Sequence, residues 1–260
     1  MNLNPSDPSV HLFLFAHQDD EMPALWEIER LARQGQRLCL VYLTTGQASA
    51  QVCERRNHES LSVLQRVGVD ASQVWFLGGE QGIPDGQLQQ HLERAWQALV
   101  SRFEAQAPAS LHLLAWEGGH QDHDASHLLG MALAQRYDRI EQSYQVPYYH
   151  GKDLPGILFK VLAPLMANGP ALTEAMPLSA RWRYLRFLLA YRSQLTTWIG
   201  LGPFFLLHYL LPGTLVRQRL SRARLDEKPH PGPMLYERRG FSDYERFLAD
   251  TAAFKALHLR

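Results

Sequence analysis

Short apolar runs alternate with segments of helical spacing along the first half of the chain. Continuous apolar runs bounded by polar residues or glycines predict four buried strands, at 10–16, 37–44, 74–77 and 111–115. Apolar residues recur at helical spacing in four further segments, at 24–34, 56–67, 88–105 and 125–136. Strands that alternate with helices are typical of a parallel sheet covered by helices. The sequence therefore predicts an α/β fold, a Rossmann-like three-layer domain with a mainly parallel sheet.

The pattern changes after residue 144. The chain there is rich in proline and aromatic residues, then strongly apolar, then basic. No polar linker precedes this part, which argues against a separate second domain. We therefore expect a single domain over 1–260, with a core of about 8–150 and a helical or irregular C-terminal extension of about 151–260 that covers the cleft.

One part of this extension, 198–224, has two interpretations. Residues 198–211 are almost wholly apolar but too few for a transmembrane helix, which needs about 20 residues. Arginines follow at 217, 219, 222 and 224. An apolar segment beside a basic one is typical of a peripheral contact with a membrane. The alternative is a buried helix, or a helical hairpin, that covers the sheet.

Composition narrows the class of protein. Hydrophobic residues make up 46% and charged residues 20% of the chain, which is enough apolar surface to build a folded core. The 26 basic and 26 acidic side chains balance, so nothing indicates a nucleic acid partner. Two cysteines do not make a disulfide framework, and the first residues do not resemble a signal peptide. We expect a cytoplasmic protein, either free or peripheral at the inner membrane face.

Two clusters of imidazoles and carboxylates follow two of the predicted strands. Residues 17–21 (HQDDE) come after the first strand, and 120–123 (HQDH) come after the fourth. Because parallel strands end at the same edge of a sheet, both clusters should face one cleft. A divalent metal relieves the repulsion between carboxylates this close, and catalytic zinc takes three ligands from His and Asp or Glu. The alternative is a solvated helix start at the first cluster and a polar loop with a helix cap at Asp122 or Asp124 at the second.

These motifs resemble those of a known family. AHQDDE (16–21) and GGHQDH (118–123) are similar to the AHPDDE and GHPDH motifs of the PIG-L/LmbE-like zinc-dependent N-deacetylases. The resemblance extends to LTTGQ after the second strand, to Arg56 and Glu59, and loosely to YRSQ at 191–194. Both motif prolines are glutamines here, Gln18 and Gln121, which predicts softer loops without loss of a metal ligand.

The resemblance implies a role for each motif residue. It implies one zinc ion per chain, bound by His17, Asp20 and His123. The residues alone do not decide which of Asp19 and Asp20 ligates, but the resemblance makes Asp19 the general base that takes a proton from the attacking water. His120 would be the protonated group that stabilises the oxyanion and assists the departing amine, with Asp122 holding its ring.

Three further residues keep two interpretations each. Arg56 would bind substrate hydroxyls or phosphate, or it would pair with Glu59 or the HQDDE loop. Trp116 would stack on a sugar ring or belong to the core at a strand end. His127 lies one helical turn beyond His123 and would be a further metal ligand or pack beside it.

The leading prediction is a zinc-dependent hydrolase that removes the N-acetyl group from an N-acetylglucosamine-like sugar through a metal-activated water. The sugar would belong to a glycoside, a polysaccharide precursor or a lipid-linked saccharide. One alternative is an amidase of the same fold that acts on another N-acyl substrate, such as a thiol conjugate or an antibiotic. The other is a non-catalytic carbohydrate-binding scaffold, against which the complete set of ligands and catalytic groups argues.

Overall fold

The computed structural model describes residues 10–47 and 49–259. Strands in this part of the chain are β1 (Val10–Phe15), β2 (Arg37–Tyr42), β3 (Val74–Trp75), β4 (Ser110–Leu114), β5 (Tyr144–Val146), β6 (Tyr149–His150), β7 (Lys160–Val161), β8 (Leu172–Ala175) and β9 (Thr214–Arg219). Its helices are α1 (Leu25–Arg33), α2 (Ala50–Gln65), α3 (Leu77–Gln81), α4 (Leu92–Arg102), α5 (Gln121–Arg136), α6 (Leu178–Phe187), α7 (Leu195–Leu210), α8 (Leu235–Arg238) and α9 (Tyr244–His258).

The central sheet has the strand order β3-β2-β1-β4-β5-β9-β8, and β6 pairs separately with β7. The strands from β3 to β5 in this order run parallel, whereas β9 is antiparallel to β5 and β8 is antiparallel to β9. Alternate residues of β1 enter two cores, Leu12 and Leu14 on one face and Phe13 and Phe15 on the other. The predicted α/β fold with a mainly parallel sheet is confirmed.

Several predicted boundaries are wrong for local reasons. The strand predicted over 74–77 ends at Trp75, because α3 begins at Leu77. The helix predicted over 88–105 is a 3-10 turn at Leu88–Gln90 followed by α4. Helix α5 begins at Gln121 rather than at 125, because the His120 side chain accepts a hydrogen bond from the Asp122 N–H and caps the helix.

The C-terminal extension contributes strands to the central sheet, which corrects its description as helical or irregular. Strand β9 pairs with β5, and Tyr144 of β5 lies under the guanidinium groups of Arg217 and Arg219, at 4.7 and 4.6 Å from its ring centre. The edge strand β8 is mostly exposed, so it lacks the apolar run that identifies a buried strand. The division of 1–260 into a core and an extension within one domain stays a prediction.

Helix α7, which contains most of the apolar segment, is buried on one side and exposed on the other. Trp198, Leu201, Phe205 and Tyr209 are buried in the core, whereas the opposite side of the helix is exposed. No helix in the described residues is long and apolar enough to cross a membrane.

The arginines that follow α7 do not form the free basic face expected within 198–224. Arg217 pairs with Glu27 at 2.8 Å, and Arg219 donates to the Glu141 carbonyl. Arg222 donates to the Leu259 carbonyl at 3.0 Å, and buried Arg224 bonds Glu227 and Asn168. These contacts occupy all four arginines, so the expectation of a free basic face toward a membrane is corrected.

Gly78 lets α3 approach the end of β2, beside the loop after β1. A Cβ atom at Gly78 would lie 2.2 Å from the backbone carbon of Thr44, whose hydroxyl donates to the Ala16 carbonyl at 2.8 Å. We expect Gly78→Ala to lower the free energy of unfolding by about 3 kcal/mol or more, because backbone must move. Urea denaturation measures this change.

The neighbouring glycine provides a matched control. A Cβ at Gly79 meets no atom of the described chain within 4 Å. Gly79→Ala in the same short helix should therefore be neutral or stabilise by about 0.5–1 kcal/mol. Equal destabilisation by both substitutions would show that helix dynamics, not the contact with Thr44, requires glycine here.

Candidate active site

The turn after β1 holds its carboxylates in a constrained backbone. Asp19 has a φ of 101°, in the left-handed region that few non-glycine residues adopt. Its N–H donates to Glu21 Oε2 at 2.9 Å, and the Tyr191 hydroxyl donates to Glu21 Oε1 at 2.7 Å. Glu21 is fully buried, and burial raises its pKa. Tyr191 of the late YRSQ segment thus helps to fix the position of Glu21 in the first motif.

The two motifs meet at Asp20. One Asp20 oxygen lies 3.4 Å from His17 Nδ1 and accepts the His17 backbone N–H at 2.7 Å. The other oxygen lies 3.1 Å from His123 Nε2. Burial disfavours ionisation of Asp20, but the charges of His123 and His17 outweigh it and lower the pKa of Asp20. The structure therefore places these three side chains in one buried cluster.

His120 stands at the edge of this cluster. The centres of the His17 and His120 rings are 4.8 Å apart. Burial, with the charge of His17, lowers the pKa of His120 to about 3. Its Nδ1 accepts the Asp122 N–H at 3.2 Å, so the neutral ring carries its hydrogen on Nε2. These contacts favour the neutral ring, whereas the resemblance implies a protonated His120.

The Asp122 carboxylate supports a different ring from the one expected. Its Oδ2 lies 3.0 Å from His17 Nε2 and accepts the Gly86 N–H at 2.6 Å, and its Oδ1 accepts the Leu88 N–H at 3.0 Å. The carboxylate therefore orients His17, whereas His120 is held by the Asp122 backbone. A carboxylate behind a histidine is the usual way of fixing a metal-binding ring.

Arg56 positions the loop that carries Asp19. The side chain is buried and donates to the carbonyls of Gly46 and Gln18, and its Nη2 lies 3.3 Å from Asp19 Oδ1. Glu59 accepts instead from the N–H and hydroxyl of Ser193. Arg56 also lines the pocket, so loop positioning and substrate contact are compatible.

Trp116 and His127 are core residues. Trp116 is 1% exposed, and its indole N–H donates to the Glu227 carbonyl at 3.2 Å. The buried ring is not open to a sugar, which corrects its interpretation as a substrate residue. His127 Nδ1 bonds the Leu114 carbonyl at 2.8 Å on β4, which supports packing rather than metal binding.

A pocket of about 240 Å³ opens above the cluster. Its walls include Tyr148, Tyr149, Gln194, Arg239 and Phe241. Its floor contains the motif residues His17, Asp19, Asp20, His120 and His123. The extension therefore supplies part of the wall, as a cover of the cleft would. A larger cavity of about 590 Å³ lies elsewhere, and its lining does not include the motif residues.

Asp85 is a pocket residue that the sequence did not reveal. Its Oδ1 lies 3.1 Å from His17 Nε2, and the charge of His17 lowers the pKa of Asp85 against the effect of burial. It follows β3 and α3 in the segment IPDG. An Asp-Gly pair after a third parallel strand was the available signal, because such a loop also reaches the shared sheet edge.

The donor set fits a zinc ion. Nitrogen atoms of His17, His120 and His123 lie within 4.8 Å of one another. The ligands of a tetrahedral zinc, at about 2.0–2.2 Å from the metal, are about 3.3 Å apart. The Asp20 carboxylate approaches each histidine through a different oxygen, with Oδ2 3.4 Å from His17 Nδ1 and Oδ1 3.1 Å from His123 Nε2, and both separations are close to that value. His17 Nδ1, an Asp20 oxygen and His123 Nε2 are the atoms that would hold the ion.

Glu117 ties the loop after β4 to the segment before β6. Its Oε1 accepts the N–H groups of Tyr148 and Tyr149, both at 2.8 Å, and burial raises its pKa from 4.5 to about 8. The folded protein therefore keeps a proton that the unfolded chain loses above pH 4.5. Stability from this group should fall between about pH 4.5 and 8, by an amount on the order of 4 kcal/mol.

Glu117→Gln should remove this part of the pH dependence, because a glutamine oxygen still accepts both N–H groups and does not titrate. Urea denaturation of the metal-free protein at pH 5 and pH 8 measures the slope. Glu104→Gln, at an exposed position, is the matched control and should keep the wild-type slope. Equal slopes in Glu117→Gln and wild type would mean that Glu117 is ionised in the fold.

Comparison with known proteins identifies the class. Residues 12–134 match the family model of PIG-L, described as GlcNAc-PI de-N-acetylase. This part of the chain, which carries both motifs, matches the PIG-L family model, and the resemblance predicted from the motifs is confirmed. No curated protein matches the sequence.

Solved structures share the fold at low sequence identity. The zinc-inhibited form of teicoplanin deacetylase has a TM-score of 0.59 and 13% identity, over 81% of this chain and 98% of that one. The A40926 pseudoaglycone deacetylase has a TM-score of 0.57 and 15% identity, over 83% and 98%. N,N'-diacetylchitobiose deacetylase from Pyrococcus horikoshii has a TM-score of 0.56 and 15% identity, over 83% and 84%. At these identities the three structures show a shared fold, whereas the family match over residues 12–134 supports a hydrolytic deacetylase.

Proposed function

We propose that the protein is a zinc-dependent N-deacetylase that releases acetate from an N-acetylglucosamine-like sugar. The observation that carries the proposal is the Asp20 carboxylate held between His17 and His123 at the floor of a pocket, with Asp19 beside it. When bound there, zinc would supply a Lewis acid that polarises the amide carbonyl and acidifies water. We expect about one zinc per chain.

Asp19 is the proposed general base. Burial raises its pKa to about 8 in spite of the nearby Arg56. A divalent cation beside it favours the carboxylate, which is the form that accepts a proton from the attacking water. Arg56 and Glu21 fix the carboxylate and its backbone, so the base does not have to reorganise during the reaction.

His120 is the proposed donor to the developing oxyanion. Its Nδ1 is satisfied by the Asp122 N–H, which leaves an Nε2–H for an acyl oxygen. Amide cleavage also requires protonation of the leaving amine. Asp19 would supply this proton, because it can pass to the amine nitrogen the proton that it accepts from water.

The substrate class is the finer part of the proposal. Relatives of the same fold are named as deacetylases of N,N'-diacetylchitobiose and of teicoplanin, which supports a sugar amide and keeps an antibiotic as the second candidate. The cytoplasmic location suggested by the sequence stays a prediction.

Metal analysis and acetate release test the proposal together. Purified protein should contain about one zinc per chain, and the zinc-loaded protein should release acetate from N-acetylglucosamine or N,N'-diacetylchitobiose. Release from an N-acylated antibiotic alone would favour the second candidate. Protein that binds these sugars without acetate release would favour the non-catalytic scaffold, and protein that takes up no added zinc would contradict the catalytic proposal.

A further inference from the structure

Helices α6 and α7 expose an unusual amount of apolar surface. Trp182, Leu189, Leu195, Ile199 and Leu206, here called the apolar face, are between 44% and 77% exposed. The first four turns of α7 and the facing side of α6 enclose an open groove of about 540 Å³ lined almost wholly by apolar side chains. Monomeric proteins rarely expose contiguous apolar surface of this kind without a partner.

A cluster of cations borders the apolar face. Arg55, Arg66, Arg186 and Arg192, here called the arginine cluster, surround a shallow depression of about 410 Å³. Within the described chain none of the four pairs with a carboxylate, because Glu59, the acid in this depression, is bonded to Ser193. Arg186 and Leu189 line both the groove and the depression, so the two surfaces are continuous.

The catalytic pocket opens beside the same segment. Gln194, Thr197 and Leu201 line the pocket, whereas Leu195 and Ile199 in the same two turns line the groove. One side of this short stretch therefore faces the proposed chemistry and the other faces the apolar surface. A molecule docked on the apolar face lies next to the pocket.

We propose that the apolar face and the arginine cluster dock this protein on an anionic membrane surface, with the pocket beside the bilayer. Exposed apolar residues enter the boundary between head groups and acyl chains, and nearby arginines attract anionic lipids by about 1 kcal/mol each. This docking does not rest on the proposed function.

Charge favours a membrane over a second copy of the chain. Basic and acidic residues balance at 26 each over the whole molecule, yet this border carries four unpaired arginines. A second copy of this chain has no net negative charge to complement this border. An anionic bilayer complements both the apolar and the cationic part of the surface.

Co-sedimentation of the full zinc-loaded chain with vesicles tests the proposal. Wild type should bind vesicles of phosphatidylcholine with phosphatidylglycerol at least about tenfold more strongly than phosphatidylcholine alone, and high salt should reduce binding. Ile199→Asp/Leu206→Asp and Arg186→Glu/Arg192→Glu should each weaken binding about tenfold or more. Leu257→Asp on α9, at a position 64% exposed, is the matched apolar control, and Arg246→Glu is the charge control.

Acetate release from a soluble N-acetyl sugar separates this proposal from the proposed function. All four variants lie outside the pocket and should keep that activity. Loss of acetate release with intact vesicle binding would reject the deacetylase and leave docking in place. Equal vesicle binding by wild type and the Ile199→Asp/Leu206→Asp variant would overturn docking. A wild-type dimer in sedimentation equilibrium that this variant makes monomeric would also overturn it, because the face would then be a contact between two copies.

Discussion

Asp19→Asn is expected to lower kcat by about 10²–10⁴-fold while zinc stays bound, because a general base contributes that much to catalysis. Asp19 is not among the atoms that would hold the ion, since His17 and His123 face Asp20 instead. Asparagine has nearly the same shape and tolerates a φ of 101° better than most residues. Its amide oxygen also still accepts from Arg56. The substitution therefore removes the proton acceptor and little else.

Steady-state acetate release and zinc content of the same preparation measure the two parts of this prediction. Asp70→Asn is the matched control, because Asp70 is exposed and caps a turn through the Ser72 N–H, a contact that asparagine also makes. Wild-type turnover in Asp19→Asn would place the base elsewhere. Loss of zinc in this variant would instead make Asp19 a ligand, the alternative that the residues alone left open.

The part of the site that the sequence predicts depends on backbone topology. His17 and His123 lie more than a hundred residues apart in the sequence. They follow β1 and β4, which are neighbouring parallel strands in which His11 pairs with Ser110. Parallel strands that pair in register end together, so the polar residues after them must share one edge. The apolar runs identify the strands, and the shared edge at which parallel strands end is then sufficient to predict that the two motifs meet.

The residues that the sequence did not place depend on side-chain direction. Trp116 follows β4 even more closely than His120 does, but its ring is buried in the core whereas His120 lines the pocket. The Asp122 carboxylate reaches His17 rather than His120, because α5 begins at Gln121 and fixes where the carboxylate points. The spacing of residues along the chain does not specify the direction in which their side chains point.

The strands of the extension were missed for a different reason. β9 carries arginines that are satisfied by Glu27 and by the ring of Tyr144, residues distant in sequence. A short segment of mixed apolar and polar residues such as TLVRQR predicts a strand only weakly when its partners are unknown. Because their partners were unknown, these arginines resembled a membrane-facing surface. Four arginines without a carboxylate partner in the described chain, those of the arginine cluster, lie instead on or next to α2, α6 and α7.

Removal of the His123 imidazole is expected to abolish stable zinc binding, with an affinity loss of more than about 100-fold, because even supporting contacts to ligands contribute 10–100-fold. The informative substitution is His123→Asn. Its amide nitrogen takes the position of Nδ1 but cannot reach that of Nε2, the atom that faces Asp20. Acetate release should fall with the zinc content, measured after dialysis against a metal buffer.

His127→Asn is the matched control for this loss. His127 is also buried and lies on the same helix, but it bonds the Leu114 carbonyl through Nδ1, a position that the asparagine amide does reach. This variant should keep zinc and turnover and lose about 1–3 kcal/mol of stability through the missing half of the ring. Zinc that survives His123→Asn but is lost in His127→Asn would make His127 the ligand and would reverse the assignment of the two histidines.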